Sequence, residues 1–123
     1  MIGLQNCPFC ARVLNNEYDE IFSGVFDTVT FEPLNPVTPG HRLFVPTFHL
    51  NPTNPLDLWN GGELIASVGV WRTANKLQED FNLILNGGAA ASQTIEHAHL
   101  HYVPRRPDDG LKLPWTDQHA RLR

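Results

Sequence analysis

A chain of 123 residues fits one compact domain, 1–123, and is too short for two. Apolar residues make up 41% and charged residues 18%, which excludes a disordered chain, and a domain of this size needs no disulfide framework to fold. Nine basic against thirteen acidic side chains leave a net charge of −4, which argues against a nucleic-acid polymer as partner but leaves room for one small polyphosphate or nucleotide in a polarised pocket.

The opening Met1-Ile2-Gly3-Leu4-Gln5-Asn6 has no basic region followed by an apolar stretch, so no signal peptide is expected. No run approaches the roughly 18 apolar residues that span a bilayer. The expectation is a soluble, cytoplasmic protein with no membrane partner. Cys7 and Cys10, the only cysteines, are three positions apart, a spacing that suggests a metal or redox pair before a structural disulfide. The stretch 11–15 then predicts a short helix, and 18–22 and 25–31 predict two strands turning at Ser23-Gly24. Pro33, Pro36 and Pro39 make 32–40 a loop. Residues 42–46 read as a strand that stops at Pro46.

A helix should begin at Asn54, an N-cap followed by Pro55 and, in the first turn, Asp57. Gly61-Gly62 is placed to break or kink it. Leu64, Val68 and Trp71, with Val70, Ala74, Leu77 and Phe81, suggest one broad apolar face, and Trp59 and Trp71 read as core packing. A strand over 81–85, a turn at Asn86-Gly87-Gly88 and a last strand over 95–103 complete the order. Strands, one long helix and more strands predict an α+β domain with an antiparallel sheet. Arg105, Arg106 and His119 carry no motif and read as surface or tail charge, while Pro114-Trp115 could dock on the core or on a second subunit.

The final strand holds His97-Ala98-His99-Leu100-His101. Alternation on a strand would put all three imidazoles on one face, roughly 6.5–7 Å apart, with Ala98, Leu100 and Tyr102 on the other. Two chemistries suit such a row: a metal site with two or three imidazole ligands, or nucleophilic catalysis by one imidazole that its neighbours orient. Periodicity does not choose between them.

The segment His97 to Val103 alternates histidine with apolar residues and resembles the signature of the histidine triad (HIT) superfamily of nucleotide hydrolases and transferases. Asn86-Gly87-Gly88 followed by Ser92-Gln93-Thr94 resembles that family's phosphate-contacting stretch, and Pro36 to His41 followed by Leu43-Phe44-Val45-Pro46 its Pro-Gly-His strand. The match covers about 7–104 and leaves 105–123 as a C-terminal tail. The resemblance implies a HIT-like fold of about five antiparallel strands, one long helix and a short N-terminal helix. It implies cleavage at the α-phosphate of a nucleoside phosphoramidate or (di)nucleoside polyphosphate. His99 would be the nucleophile and form a nucleotidyl-imidazole, with His97 and His101 beside it and His101 assisting the leaving group. His41, Asn86, Gln93 and Thr94 would serve the nucleotide and its phosphoryl oxygens, and Phe9 and Leu34 the base.

One departure follows: the family's ribose-binding Asp or Asn falls on Pro33, whose side chain cannot hydrogen-bond the sugar, so base and sugar preference stay open. A redox role for Cys7-Pro8-Phe9-Cys10 would need a thioredoxin-like βαβ context that is missing here. Zinc-bearing family members close a structural site with histidines that fall on His49 and His97, giving Cys7, Cys10, His49 and His97 as zinc ligands. A homodimer is expected from the resemblance together with the apolar helix face from Leu64 to Leu77. The alternatives are a nucleotide-binding module of the same fold that senses nucleotides without turnover, and an enzyme with catalytic zinc on the triad.

Overall fold

Cys7 caps the first helix, its sulfur accepting from the Cys10 amide, and Pro8 fills the first helical position, where no amide donor is needed. Helix α1 (Pro8–Leu14) is thus one turn longer at its start than the sequence predicts. The computed structural model describes residues 6–116, so His119 lies outside the described residues. Strands β1 (Glu20–Phe22), β2 (Thr28–Phe31) and β3 (Arg42–Pro46) follow, the first two shorter than expected. Asn54 accepts from the Leu56 and Asp57 amides and starts α2 (Pro55–Asn60); after Gly61, α3 (Gly62–Ala74) continues in a new segment. Strands β4 (Asp80–Leu85) and β5 (Leu100–Arg105) close the sheet.

The sheet is antiparallel throughout, in the order β1-β2-β3-β5-β4. Its register places Phe31 opposite Leu43 and Leu43 opposite His101, one row across three strands. Because side chains alternate, the sheet buries two faces. On one, Val29, Phe31, Leu43 and Val45 pack with Cys7, Phe9 and Cys10 of the α1 region. On the other, Phe44, Leu100 and Tyr102 pack with Leu64 and Val68 of α3. The expected α+β class, the five-stranded antiparallel sheet, the long helix and the short helix are all present.

Several expectations need correction. The last strand begins at Leu100, not Ile95. The chain bends at 95–97, and the Ala98 amide donates to the Leu50 carbonyl at 2.6 Å instead of to a sheet neighbour. Trp59 is 85% exposed and belongs to no core. The apolar face of α3 is narrower than expected: Leu64, Val68 and Trp71 follow the i, i+4, i+7 row, whereas Val70 lies on the far side at 58% exposure. Leu77 and Phe81 lie beyond the helix end, in the connection and in β4. Arg105 is not tail charge: it ends β5 and holds Asp109 and Asn82. Arg106 donates to the Thr38 hydroxyl and the Pro39 carbonyl, tying the chain after β5 to the proline loop.

Candidate active site and metal centre

The bend at 95–97 breaks the alternation that a continuous strand would impose. His97 leaves the row and packs against His49, with ring centroids 5.0 Å apart, while His99 and His101 stay neighbours at 5.1 Å. The triplet therefore serves two places. Phe9 of α1 touches both, with its ring 5.9 Å from His97 and 5.0 Å from His99.

A cluster of residues that could hold a metal ion is built from the α1 cap and two histidines. Sulfur Sγ of Cys7 lies 3.4 Å from His97 Nδ1, and Sγ of Cys10 lies 3.4 Å from Nδ1 of both His49 and His97. All four ligand atoms fall within 4.8 Å of one another. A tetrahedral centre with metal–sulfur bonds of about 2.3 Å and metal–nitrogen bonds of about 2.0 Å has sulfur–nitrogen edges of about 3.5 Å. The donor set fits such an ion. His97 is also oriented for it: Nε2 donates to the Pro46 carbonyl at 2.8 Å, which leaves the Nδ1 lone pair facing the sulfurs. Burial, opposed by that carbonyl and reinforced by His49 and His99, lowers the His97 pKa to about 4.

The second place is a cleft of about 390 Å³ over the Phe31–Leu43–His101 row, lined also by Phe9, Arg12, Pro33, Leu34, Asn35, Thr94, Ile95 and His99. His99 Nδ1 donates to the His97 carbonyl at 2.8 Å, so Nε2 is the unprotonated nitrogen. Burial lowers its pKa, opposed by the same carbonyl. His101 is set by a longer chain of partners. The Val37 amide donates to His41 Nδ1 at 3.1 Å, so the proton of His41 resides on Nε2. That nitrogen lies 3.0 Å from His101 Nδ1 and donates to it, leaving His101 with its own proton on Nε2. Burial lowers the His41 pKa; burial and the adjacent His99 and His41 bring that of His101 to about 4. The cleft therefore presents one bare nitrogen and one N–H from adjacent neutral rings.

Of the sequence-predicted site residues, His99, His101, Phe9, Leu34 and Thr94 line this cleft, and His41 reaches it through His101. Leu34 is 86% exposed at its rim. Asn86 and Gln93 are not among the lining residues. The Gln93 amide braces its own loop, accepting from the Gly88 amide and donating to the Ile95 carbonyl. Sequence reasoning missed Arg12 and Phe31. Arg12 was within reach, because it falls one helical turn after Phe9. Phe31 enters only through the strand register.

The chain is similar to known proteins in sequence and in fold. A model of the HIT domain matches residues 16–108. Adenylylsulfatase HINT3 of Arabidopsis thaliana is 33% identical over 132 residues, an alignment that covers 96% of this chain and 60% of that protein. Adenosine 5'-monophosphoramidase HNT1 of Saccharomyces cerevisiae is 29% identical over 92 residues, covering 72% of this chain and 56% of its own length. This chain therefore spans less than two-thirds of either relative. A zinc-bound histidine triad family protein from Mycobacterium smegmatis superposes with a TM-score of 0.62 at 31% identity, over 95% of this chain and 89% of that one. The domain match takes in the cleft floor, the Pro-Gly-His loop and the whole histidine triplet, and the chain belongs to the HIT family.

Proposed function

We propose that the chain is a nucleotidyl hydrolase or transferase that cleaves at the α-phosphate of a nucleoside phosphoramidate or (di)nucleoside polyphosphate, with His99 as nucleophile. The observation that carries this reading is the pair of fixed tautomers, Nε2 bare on His99 and protonated on His101. The Nε2 lone pair of His99 attacks phosphorus and forms a P–N bond. The bond to the leaving group breaks, and its electron pair departs with that group, which takes a proton from water. The ring becomes cationic in this step, and the His97 carbonyl on Nδ1–H stabilises that charge. His101 donates Nε2–H to a phosphoryl or bridging oxygen as negative charge builds there. Water then attacks phosphorus, releases the nucleoside monophosphate and restores the neutral ring. Thr94 offers a neutral hydroxyl at the cleft wall, which agrees with a net charge of −4.

Zinc is the ion proposed for Cys7, Cys10, His49 and His97, since two thiolates and two imidazoles suit it. When bound it supplies structure by holding α1 to the histidine segment; the reacting nitrogen belongs to His99. Among the described residues no helix is long and apolar enough to cross a membrane, and a cytoplasmic setting is proposed. So is a homodimer formed through the groove between α3 and the edge strand β4, lined by Ile65, Val68, Leu77, Phe81 and Leu83.

The test is single-turnover hydrolysis of an adenosine phosphoramidate by wild type and His99→Asn, with the covalent intermediate trapped for mass spectrometry. The expected result is a nucleotidyl adduct on His99 and a variant slower by several powers of ten that still binds AMP. A variant that keeps more than about a tenth of the rate, a penalty below about 1.4 kcal/mol, removes His99 as nucleophile. Binding without turnover in wild type would point to the nucleotide-sensing module.

A further inference from the structure

Arg12 stands in the cleft without a part in either the histidine pair or the metal cluster. It is half-buried, with its guanidinium carbon 4.3 Å above the Phe31 ring and one N–H on the Glu17 carbonyl at 3.3 Å. Among the described residues the ion pairs join Arg42 to Asp19 and Arg105 to Asp109, so Arg12 has no carboxylate partner there. Its place in the cleft follows from two rows. Phe31, Leu43 and His101 sit opposite one another across β2, β3 and β5. At about 4.8 Å per strand, Phe31 lies about 10 Å from His101. Along α1, Phe9 and Arg12 are one turn apart, so Phe9 meets His99 while Arg12 covers Phe31. Arg12 closes the end of the cleft remote from the histidines.

A nucleotide with its phosphorus at His99 extends its ribose and then its base along this row. The edge of the base turned toward Arg12 is the one that carries position 6 and N7. A guanidinium has donors and no acceptor, in a planar fork suited to paired acceptors. On the side of position 6, guanine and hypoxanthine set two acceptors together, O6 and N7, which match the fork; adenine sets an amino donor beside N7, so one arm of the fork meets a donor. Near Phe31 the other lining side chains, Pro8, Phe9, Pro33 and Leu34, offer the base no hydrogen bond, and the Asn35 amide can both donate and accept. The choice therefore falls to Arg12. We propose that Arg12 is a specificity-determining residue that selects a 6-oxopurine nucleotide over a 6-aminopurine one. This rests on the nucleotide reading of the His99 cleft.

Calorimetric titration of the zinc-loaded protein with IMP, GMP and AMP tests it, in wild type and in Arg12→Leu. Wild type should bind IMP and GMP at least about tenfold more tightly than AMP, about 1.4 kcal/mol. Arg12→Leu should bring the three within about twofold of one another, and a thermal melt and zinc content equal to wild type report that the variant is folded. Equal affinities in wild type, or a preference that survives in Arg12→Leu, would overturn the assignment while leaving the nucleotide reading intact. Adenosine 3',5'-bisphosphate binding as tightly as IMP would also overturn it, by making Arg12 a phosphate contact. If no nucleotide binds at all, the nucleotide reading falls together with this one.

Discussion

His97 gives each of its polar groups a separate neighbour: Nε2 to the Pro46 carbonyl, Nδ1 to the two sulfurs, and its main-chain oxygen to His99 Nδ1. His97→Asn should therefore lose bound metal and lower Tm by more than about 5 °C. His101→Asn should keep both within error, since its partners are His41 and His99. Metal analysis beside thermal melts checks this, and full metal occupancy in His97→Asn would refute it. The second prediction concerns acid. His41 and His101 both resist protonation when folded, whereas an unfolded imidazole takes its proton near 6.5. Between about pH 6.5 and 4 the unfolded chain binds more protons, so stability falls as pH falls through that window. Melts from pH 7 to 4.5 should show a shallower decline for His101→Asn than for wild type; parallel curves would contradict it. Sequence reading, from the alternation of His97, His99 and His101 and from the family resemblance for His41, picked out every histidine involved here. It could not say which nitrogen carries a proton, because the Val37 amide and the Pro46 and His97 carbonyls decide that, and no pattern of side chains records them.

Among the elements, those specified by local chemistry were the most legible. Asn54, Pro55 and Asp57 start α2 as expected, because a cap needs only its own next few residues. The last strand was misplaced for the opposite reason: its first half pairs with Leu50 and the metal cluster, partners 40 or more positions away that do not register in local alternation. Trp59 was misplaced because an aromatic beside a helix break has no fixed face. Two predictions belong at this scale. Thr28 in β2 is buried, and its hydroxyl has no hydrogen-bond partner among the described residues. Thr28→Val keeps the shape and removes the orphan, so it should stabilise by about 1 kcal/mol in a denaturant titration. Gly40 sits at φ +88°, and a Cβ there would meet Pro104 Cγ at 3.0 Å. Gly40→Ala should cost about 1–3 kcal/mol and disturb the adjacent His41. Unchanged stability in Gly40→Ala would mean that the loop shifts freely.

At the scale of the whole molecule, the sheet carries two separate cores, and only the one under α3 is built by a long helix. Composition and element order pointed to the class, and the alternation of Leu100 and Tyr102 with the histidines pointed to the face that α3 covers; that α1 covers the opposite face depends on register and was not readable. Helix α1 has seven residues, too few to be stable alone, and is held by Phe9, Cys10 and the ligand cluster. Chelation should therefore release it before anything else. Hydrogen exchange on metal-stripped protein is expected to speed up over 8–14 by at least about tenfold, while β3 and β5 keep their protection. Uniform exchange across both regions would show that the metal holds the entire fold.

The separation of Cys7 from His97, 90 positions along the chain, also sets a timetable for synthesis. Both thiols of the cluster leave the ribosome before either imidazole, and the last imidazole follows some 90 residues after Cys7. At about 5–20 residues per second, that interval is between about 5 and 18 s. His49 and the first three strands follow about midway, but until His97 and β5 emerge the cluster and the sheet are both incomplete, so the thiols are most open to oxidants and to mismatched ions in that interval.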